Sequence, residues 1–365
     1  MSTAPATLPF ARATWLVAER EITTQVRKKA FLVSLAITLV LALAGIVVAG
    51  IMSDRSSTTE VAVTGQASTA VGEAEGLEAV QADDAAAAEQ LVRDGDVSAA
   101  VVPDTSGPLD VKVIALDEAP TDVVESLSVS PTVDLLEPGS TDGPVRFIVS
   151  LAFGLVFMMA AIGSGTMIAQ NTVQEKQTRI VEILLSAVSA RALIAGKVLG
   201  NTIVAVGQTA ALAAVSAVGL LLTGQGELLD MLSAPLIWFV VFFLFGFVLV
   251  AAVFAGGAAL VSRQEDIGSA ITPAMMLVML PYFAIAFFSD NALVMTIMSY
   301  VPFSAPVGMP VRMFLGEAAA WEPLVSLALL LVAAAVVVAI AAKIYTRSLL
   351  QTGPRVKIRD ALRSA

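Results

Sequence analysis

Residues Met231–Ser262 read MLSAPLIWFVVFFLFGFVLVAAVFAGGAALVS, 32 residues between Asp230 and Arg263 without one charge. An α-helix rises 1.5 Å per residue, so about 20 apolar residues cross roughly 30 Å of hydrocarbon. This stretch is long enough to span a bilayer, and it is one of six. The others are Ala30–Ser53, Phe147–Gln174, Val198–Gly226, Ile267–Ser289 and Pro323–Ala342. Each charge kept out of a helix centre avoids about 2.5–3.5 kcal/mol of insertion cost. The whole chain agrees: 57% of it is apolar and 14% charged, against roughly 25% charged in a soluble domain. Six windows predict a polytopic membrane protein.

A seventh charge-free stretch, Asn291–Val311, carries Pro302, Pro306, Gly308 and Pro310. Prolines at four-residue spacing remove donors and clash with carbonyls along one helix. The stretch reads as a broken, re-entrant or external segment, whose backbone is satisfied by protein or water.

Orientation follows from Lys and Arg. The N-terminal arm, the second-to-third and fourth-to-fifth connections and the tail together hold 16 basic residues; the opposite side holds 5. Both termini are therefore expected in the cytoplasm. That requires an even number of spans and disfavours counting Asn291–Val311 as one. Nearly thirty mostly polar residues precede the first span, so it reads as a signal anchor that stays.

Asp54–Pro144 differs in composition and is acidic. Thr59–Thr64 alternates like a strand, Asp83–Arg93 reads as a helix ending at the Asp94-Gly95 turn, and Val97–Val102 and Leu109–Leu116 read as strands. This predicts a small external α+β domain. Its acidity reads as a solvated surface or as a vestibule that concentrates cations or substrate. The fold class expected is an all-α polytopic membrane protein with six transmembrane helices and that α+β domain between the first two.

With no Cys and no His, disulfides, thiol nucleophiles, His acid–base chemistry and Cys or His metal sites are excluded. No metal site is expected, and no nucleic acid. Gly196-Lys197 fails as a phosphate loop, because position 191 is Arg and position 198 is Val. The windows hold no Asp, Glu, Lys, Arg or His, which argues against an intramembrane enzyme and against a proton-driven carrier.

The connection between the second and third spans holds the most informative cytoplasmic stretch. Val173, Gln177, Ile180, Leu184 and Val188 recur at helical spacing, with Glu175–Arg179 and Arg179–Glu182 as ion pairs one turn apart. It reads as an amphipathic surface helix, either afloat at the interface or a lever moved by a cytoplasmic partner. The arm makes a weaker case: Trp15, Ala18, Ile22 and Val26 line one face, for anchoring or for partner contact. In the third span, Asn201 and Gln208 are candidates for a translocation path, against plain interhelical hydrogen bonding.

The run Glu175-Lys176, Arg179, Glu182, Leu184-Leu185, Ser189 and Gly196-Lys197 resembles the cytoplasmic signature of ABC-2-type transporter permeases. So do Val301-Pro302-Phe303-Ser304 through Pro306 and Pro310 to Arg312, and Ala341–Gly353 at the close of the last span. Within that family the chain is most similar to the sodium-efflux (NatB-like) branch. The resemblance implies the membrane subunit of an ATP-binding cassette exporter in the plasma membrane of a bacterium. Its cargo would be Na+, a drug, a peptide or a lipid. It implies a second permease copy or paralogue and separate ATPase subunits that bind the ATP and Mg2+, with no cofactor on this chain and no enzyme activity of its own. Residues 1–29 would be a cytoplasmic arm, 30–53 the first span, 54–144 the external domain, 145–345 five further spans and 346–365 a basic tail. Glu175, Lys176, Arg179 and Glu182 would couple to the ATPase through a helix near 174–190. Pro302, Pro306, Pro310 and Arg312 would form the external re-entrant segment near 291–311, with Arg312 at its edge near the headgroups. The competing function is a membrane-anchored sensor or scaffold that binds through its external domain.

Overall fold

The computed structural model describes residues 8–348 apart from 57–58, 66, 73, 75, 105–110, 117–119, 128–142 and 179. The described residues fall into two compact units, one within 1–43, 139–218 and 226–365 and the other within 44–138 and 219–225.

The larger unit is helical. Its elements are α1 (Phe10–Val26), the first half of α2 (Lys29–Ser56), α6 (Gly143–Gln177), α7 (Ile180–Ala187), α8 (Ala190–Leu222), α9 (Gly226–Ala259), α10 (Ile267–Phe287), α11 (Ala292–Tyr300), α12 (Ala305–Phe314) and α13 (Glu322–Ser348). Six helices, α2, α6, α8, α9, α10 and α13, are long and apolar enough to cross a membrane, and they coincide with the six windows. The central helix is α9, which packs on α6, α10, α12 and α13. Its Phe239, Phe243 and Phe247, one turn apart, are buried in the main core. Phe153 and Phe157 of α6 meet Phe239 and Phe243 edge-on at 4.8 and 5.7 Å, the geometry that aromatic quadrupoles favour.

Two close approaches need glycine. A Cβ on Gly154 would lie 2.2 Å from the Tyr282 ring, and one on Gly246 would lie 2.2 Å from Pro306. The second lets α12 press against α9. The proline-rich stretch is thus a helical hairpin: α11 and α12 are joined at Val301–Ser304, with Pro302 in the turn, Pro306 in the first turn of α12 and Pro310 inside it. Ser304 Oγ ties the turn by donating to Met298 O at 2.6 Å.

The smaller unit holds a four-stranded sheet of β1 (Thr59–Val63), β2 (Leu77–Gln81), β3 (Ala99–Pro103) and β4 (Val111–Ile114), in the order β2-β1-β3-β4. The strand β1 runs parallel to β2 and β3, while β3 and β4 are antiparallel. Successive side chains alternate. Val61 and Val63 pack with α3 (Ala67–Gly72) and α5 (Thr121–Leu127) on one face, and Ala62 packs with α4 (Ala85–Asp94) on the other. Asp84 caps α4 by accepting from Ala87 N at 2.8 Å, and Gly95, at φ +78°, ends it. The strand β2 has no counterpart in the sequence reading.

Candidate functional site

Gly196 and Gly200 stand four residues apart on α8 and form a flat face. A Cβ on Gly196 would lie 2.6 Å from Thr14 O, and one on Gly200 2.7 Å from Ala18 O. Such small-residue faces let helix backbones touch. The helix α1 lies on this face through Thr14, Val17, Ala18 and Glu21, all buried. Of the face read from sequence, Ala18 is buried here, Ile22 half-buried, and Trp15 and Val26 exposed. The spacing of large apolar residues on α1 pointed outward, because the glycines of α8 select small residues on its partner.

That docking assembles a closed ring of four charges. Glu175 Oε1 accepts from Arg20 Nη2 at 2.7 Å, and Glu175 Oε2 lies 2.9 Å from Lys197 Nζ. Lys197 Nζ also donates to Glu21 Oε1 at 3.4 Å, and Arg20 Nη2 reaches the same oxygen at 3.5 Å. The Lys197–Glu175 contact is ionic without hydrogen-bond alignment, so Glu175 Oε2 has no hydrogen-bond donor among the described residues. Two cations alternate with two anions, so the ring is neutral. The Lys197 side chain is 2% exposed and that of Glu175 11%. Charges this buried are tolerated only when paired. The fully buried Tyr345 carries a hydroxyl with no hydrogen-bond partner among the described residues.

Lys176 turns the other way. Its Nζ donates to Ala259 O at 2.9 Å and to Ser348 O at 3.1 Å, the last residues of α9 and α13. Helix C-termini present unpaired carbonyls and partial negative charge, which a buried ammonium satisfies. Adjacent residues on a helix point about 100° apart. Glu175 and Lys176 therefore tie the end of α6 to α1 and α8 on one side and to α9 and α13 on the other.

The helix expected near 174–190 is not continuous. α6 ends at Gln177, α7 covers Ile180–Ala187, and α8 starts at Ala190, where Ser189 Oγ accepts from Ala192 N at 3.2 Å. Glu175 finds its partners on distant helices. Glu182 is exposed and has no ion pair among the described residues, and Arg179 lies outside them. α7 buries Val181, while Ile183 is 71% exposed and Ile180 is also exposed. α7 is thus a short helix with two exposed isoleucines, set between helices that the charge ring joins.

Asn201 and Gln208 share a face of α8 but not an environment. Asn201 Nδ2 donates to Lys197 O at 2.9 Å, within its own helix. Gln208 lines a cavity of about 580 Å³ walled by α2, α6 and α8.

At the far end of α6, about 43 Å from Glu175 at 1.5 Å per residue, Arg146 holds the connections around α11 and α12. Its Nη2 donates to Glu317 Oε1 at 2.7 Å and its Nη1 to Ser289 O at 2.9 Å. Arg312 is 5% exposed and enclosed by protein groups, rather than at an open edge. It donates to Glu322 Oε2 at 2.7 Å, Ser299 Oγ at 2.9 Å and Glu317 O at 2.8 Å. Tyr300 donates to the same Glu322 oxygen at 2.9 Å. Burial and that carboxylate push the Tyr300 phenol above its ordinary pKa.

Sequence reasoning singled out Glu175 and Lys176 but not Arg20, Glu21 or Lys197 as site residues. The spacing Gly196-Lys197-x-x-Gly200 was the available signal, since a lysine between two helix-contact glycines needs an anion on the partner helix.

A family model described as ABC-2 family transporter protein matches residues 29–343. The chain is 30% identical over 230 residues to the uncharacterized protein YhaP of Bacillus subtilis, covering 60% of this chain and 54% of that protein. It is 29% identical over 196 residues to the uncharacterized protein MJ1024 of Methanocaldococcus jannaschii, covering 50% and 45%. The chain thus spans about half the length of these relatives. No solved structure matches.

Proposed function

The chain belongs to the ABC-2 transporter family, and from that premise we propose that it is the permease of an exporter driven by a separate ATP-binding cassette ATPase, which docks on α7. The observation that carries this reading is the position of α7. Its exposed Ile180 and Ile183 stand between the end of α6 and the start of α8, both anchored by the charge ring. Force applied to α7 passes into two long helices rather than into a slack loop. In this reading the Glu175 end faces the cytoplasm with both termini, in keeping with the Lys and Arg asymmetry. The hairpin α11–α12 then faces outward.

A second permease chain fits the α6 stripe at Ile148 and Leu151, both exposed. Since the chain has no Cys, Ile148→Cys and Leu151→Cys give a clean disulfide test of a dimer. The decisive experiment is copurification of an ATP-binding cassette ATPase with this chain from its own cells, comparing wild type with Ile183→Asp. Association and stimulated ATP hydrolysis in wild type, lost in Ile183→Asp, are the expected result. A wild-type chain that recovers no ATPase supports the sensor or scaffold reading instead. The resemblance to the sodium-efflux branch makes an inorganic cation the competing cargo.

A further inference from the structure

The cavity between α2, α6 and α8 has three chemically distinct parts. Most of its wall is apolar, from Phe31, Leu35 and Leu39 on α2 and Leu155, Met159 and Met167 on α6. Inside it stand Ser164, Gln208 and Thr209, and nearer its end Gln25. Gln25, Ser164 and Thr209 are each more than nine-tenths buried, and none has a side-chain hydrogen bond among the described residues. Buried polar groups are ordinarily paired, because an unpaired one forfeits its hydration. At one end Lys28 lines the mouth, between Arg27 and Lys29 in the chain; all three are exposed and without an ion pair among the described residues. Thr38 also lines the cavity, about 15 Å along α2 from Lys28 at 1.5 Å per residue, so the space runs deep into the bilayer-spanning length.

We propose that this cavity binds an anionic amphiphile, its acidic head at Lys28, its polar linkage on Ser164, Gln208 and Thr209, and its hydrocarbon tail along the α2 and α6 walls. A pure hydrocarbon would leave Ser164, Gln208, Thr209 and the cation triplet unanswered. A hydrated inorganic ion would waste the apolar wall. The volume lies in the range that holds a small organic ligand. That the amphiphile is the cargo rests on the permease reading above; that it binds does not.

The test uses the full chain in detergent with radiolabelled oleate, and with oleyl alcohol as the same tail without charge. Wild type is expected to bind oleate at least tenfold tighter than the alcohol. Lys28→Gln should erase that preference, and Thr209→Val with Gln208→Leu should weaken oleate severalfold. Met159→Trp, at an exposed position on the wall, should block both probes. Equal binding of both probes by wild type, or oleate binding unchanged in Met159→Trp, overturns the site. Oleate bound only by chains separated to single copies assigns the cavity to a partner's helix and also overturns it. ATP-dependent movement of oleate in vesicles holding permease and ATPase supports the cargo assignment, and sodium movement without oleate movement overturns it. ATPase association is scored separately, so an empty cavity on a chain that still recruits its ATPase sinks this inference alone.

Discussion

The charge ring around Glu175 and the clamp around Arg312 are built in opposite styles. The Arg312 clamp takes its own partners from near in sequence, with Arg312 and Glu322 10 residues apart and Ser299 and Arg312 13 apart, while Arg146 joins α6 to that region across 143 and 171 residues. In the Glu175 ring the partners are remote, with Arg20 and Glu175 separated by 155 residues and Glu21 and Lys197 by 176. A local clamp forms when its own hairpin folds and stays closed while other helices move. A ring of remote partners exists only while α1, α6 and α8 hold one arrangement, so it reports and resists their relative motion. The first style suits a fixed cap, the second a joint.

The largest effect should come from opening the joint. Lys197→Met removes one of two cations, leaves Glu21 and Glu175 buried with Arg20 alone, and should cost about 3–5 kcal/mol, read as a fall in thermal midpoint in detergent. Adding Glu175→Gln to Lys197→Met restores neutrality and should recover much of that loss. A double mutant no better than the single would show that the ring is not a unit. Arg312→Met tests the clamp and should also destabilise, by about 3 kcal/mol for the stranded Glu322. Its damage should stay local: hydrogen exchange is expected to rise in α11–α13 but not in α1, and a rise in α1 would erase the contrast between ring and clamp.

A smaller effect is expected from Gly200→Ala, whose Cβ meets Ala18 O and the Glu21 side chain. Overpacking typically costs about 1–3 kcal/mol, and here it should loosen α1 before the rest of the unit, visible as protease access to the arm. The smallest effect on stability should be that of Ile183→Asp, within about 0.5 kcal/mol for an exposed position, alongside complete loss of ATPase recruitment. A large stability loss there would mean α7 is core, not a docking knob.

Much of this architecture is legible without coordinates. The six spans follow from solvation alone, since a charge-free run of more than twenty residues has few other uses. The broken segment at 291–311 follows from the proline ring. The end of α4 follows from Asp94-Gly95, because a left-handed residue there favours glycine. What was missed shares one cause. Val173, Ile180 and Leu184 share a helical period, but whether α6 runs on through position 178 depends on what anchors Glu175 and Lys176, and those anchors come from four other helices. The strand β2, Leu77-Glu-Ala-Val-Gln81, carries only a weak pattern of its own and is a strand because β1 lies beside it.

By itself the sequence determined which segments enter the bilayer, because transfer of side chains between water and hydrocarbon is a property of each segment alone. It also determined where helices break, because proline and glycine act on their own backbone. Only the tertiary structure decided which charges are buried together. Lys197 lay outside its apolar window, Val198–Gly226, yet it sits inside the protein because α8 extends back to Ala190 and two glycines draw Glu21 onto it. The physical reason is that a buried charge is stable only through its partner, and a partner 176 residues away leaves no periodic trace in either segment.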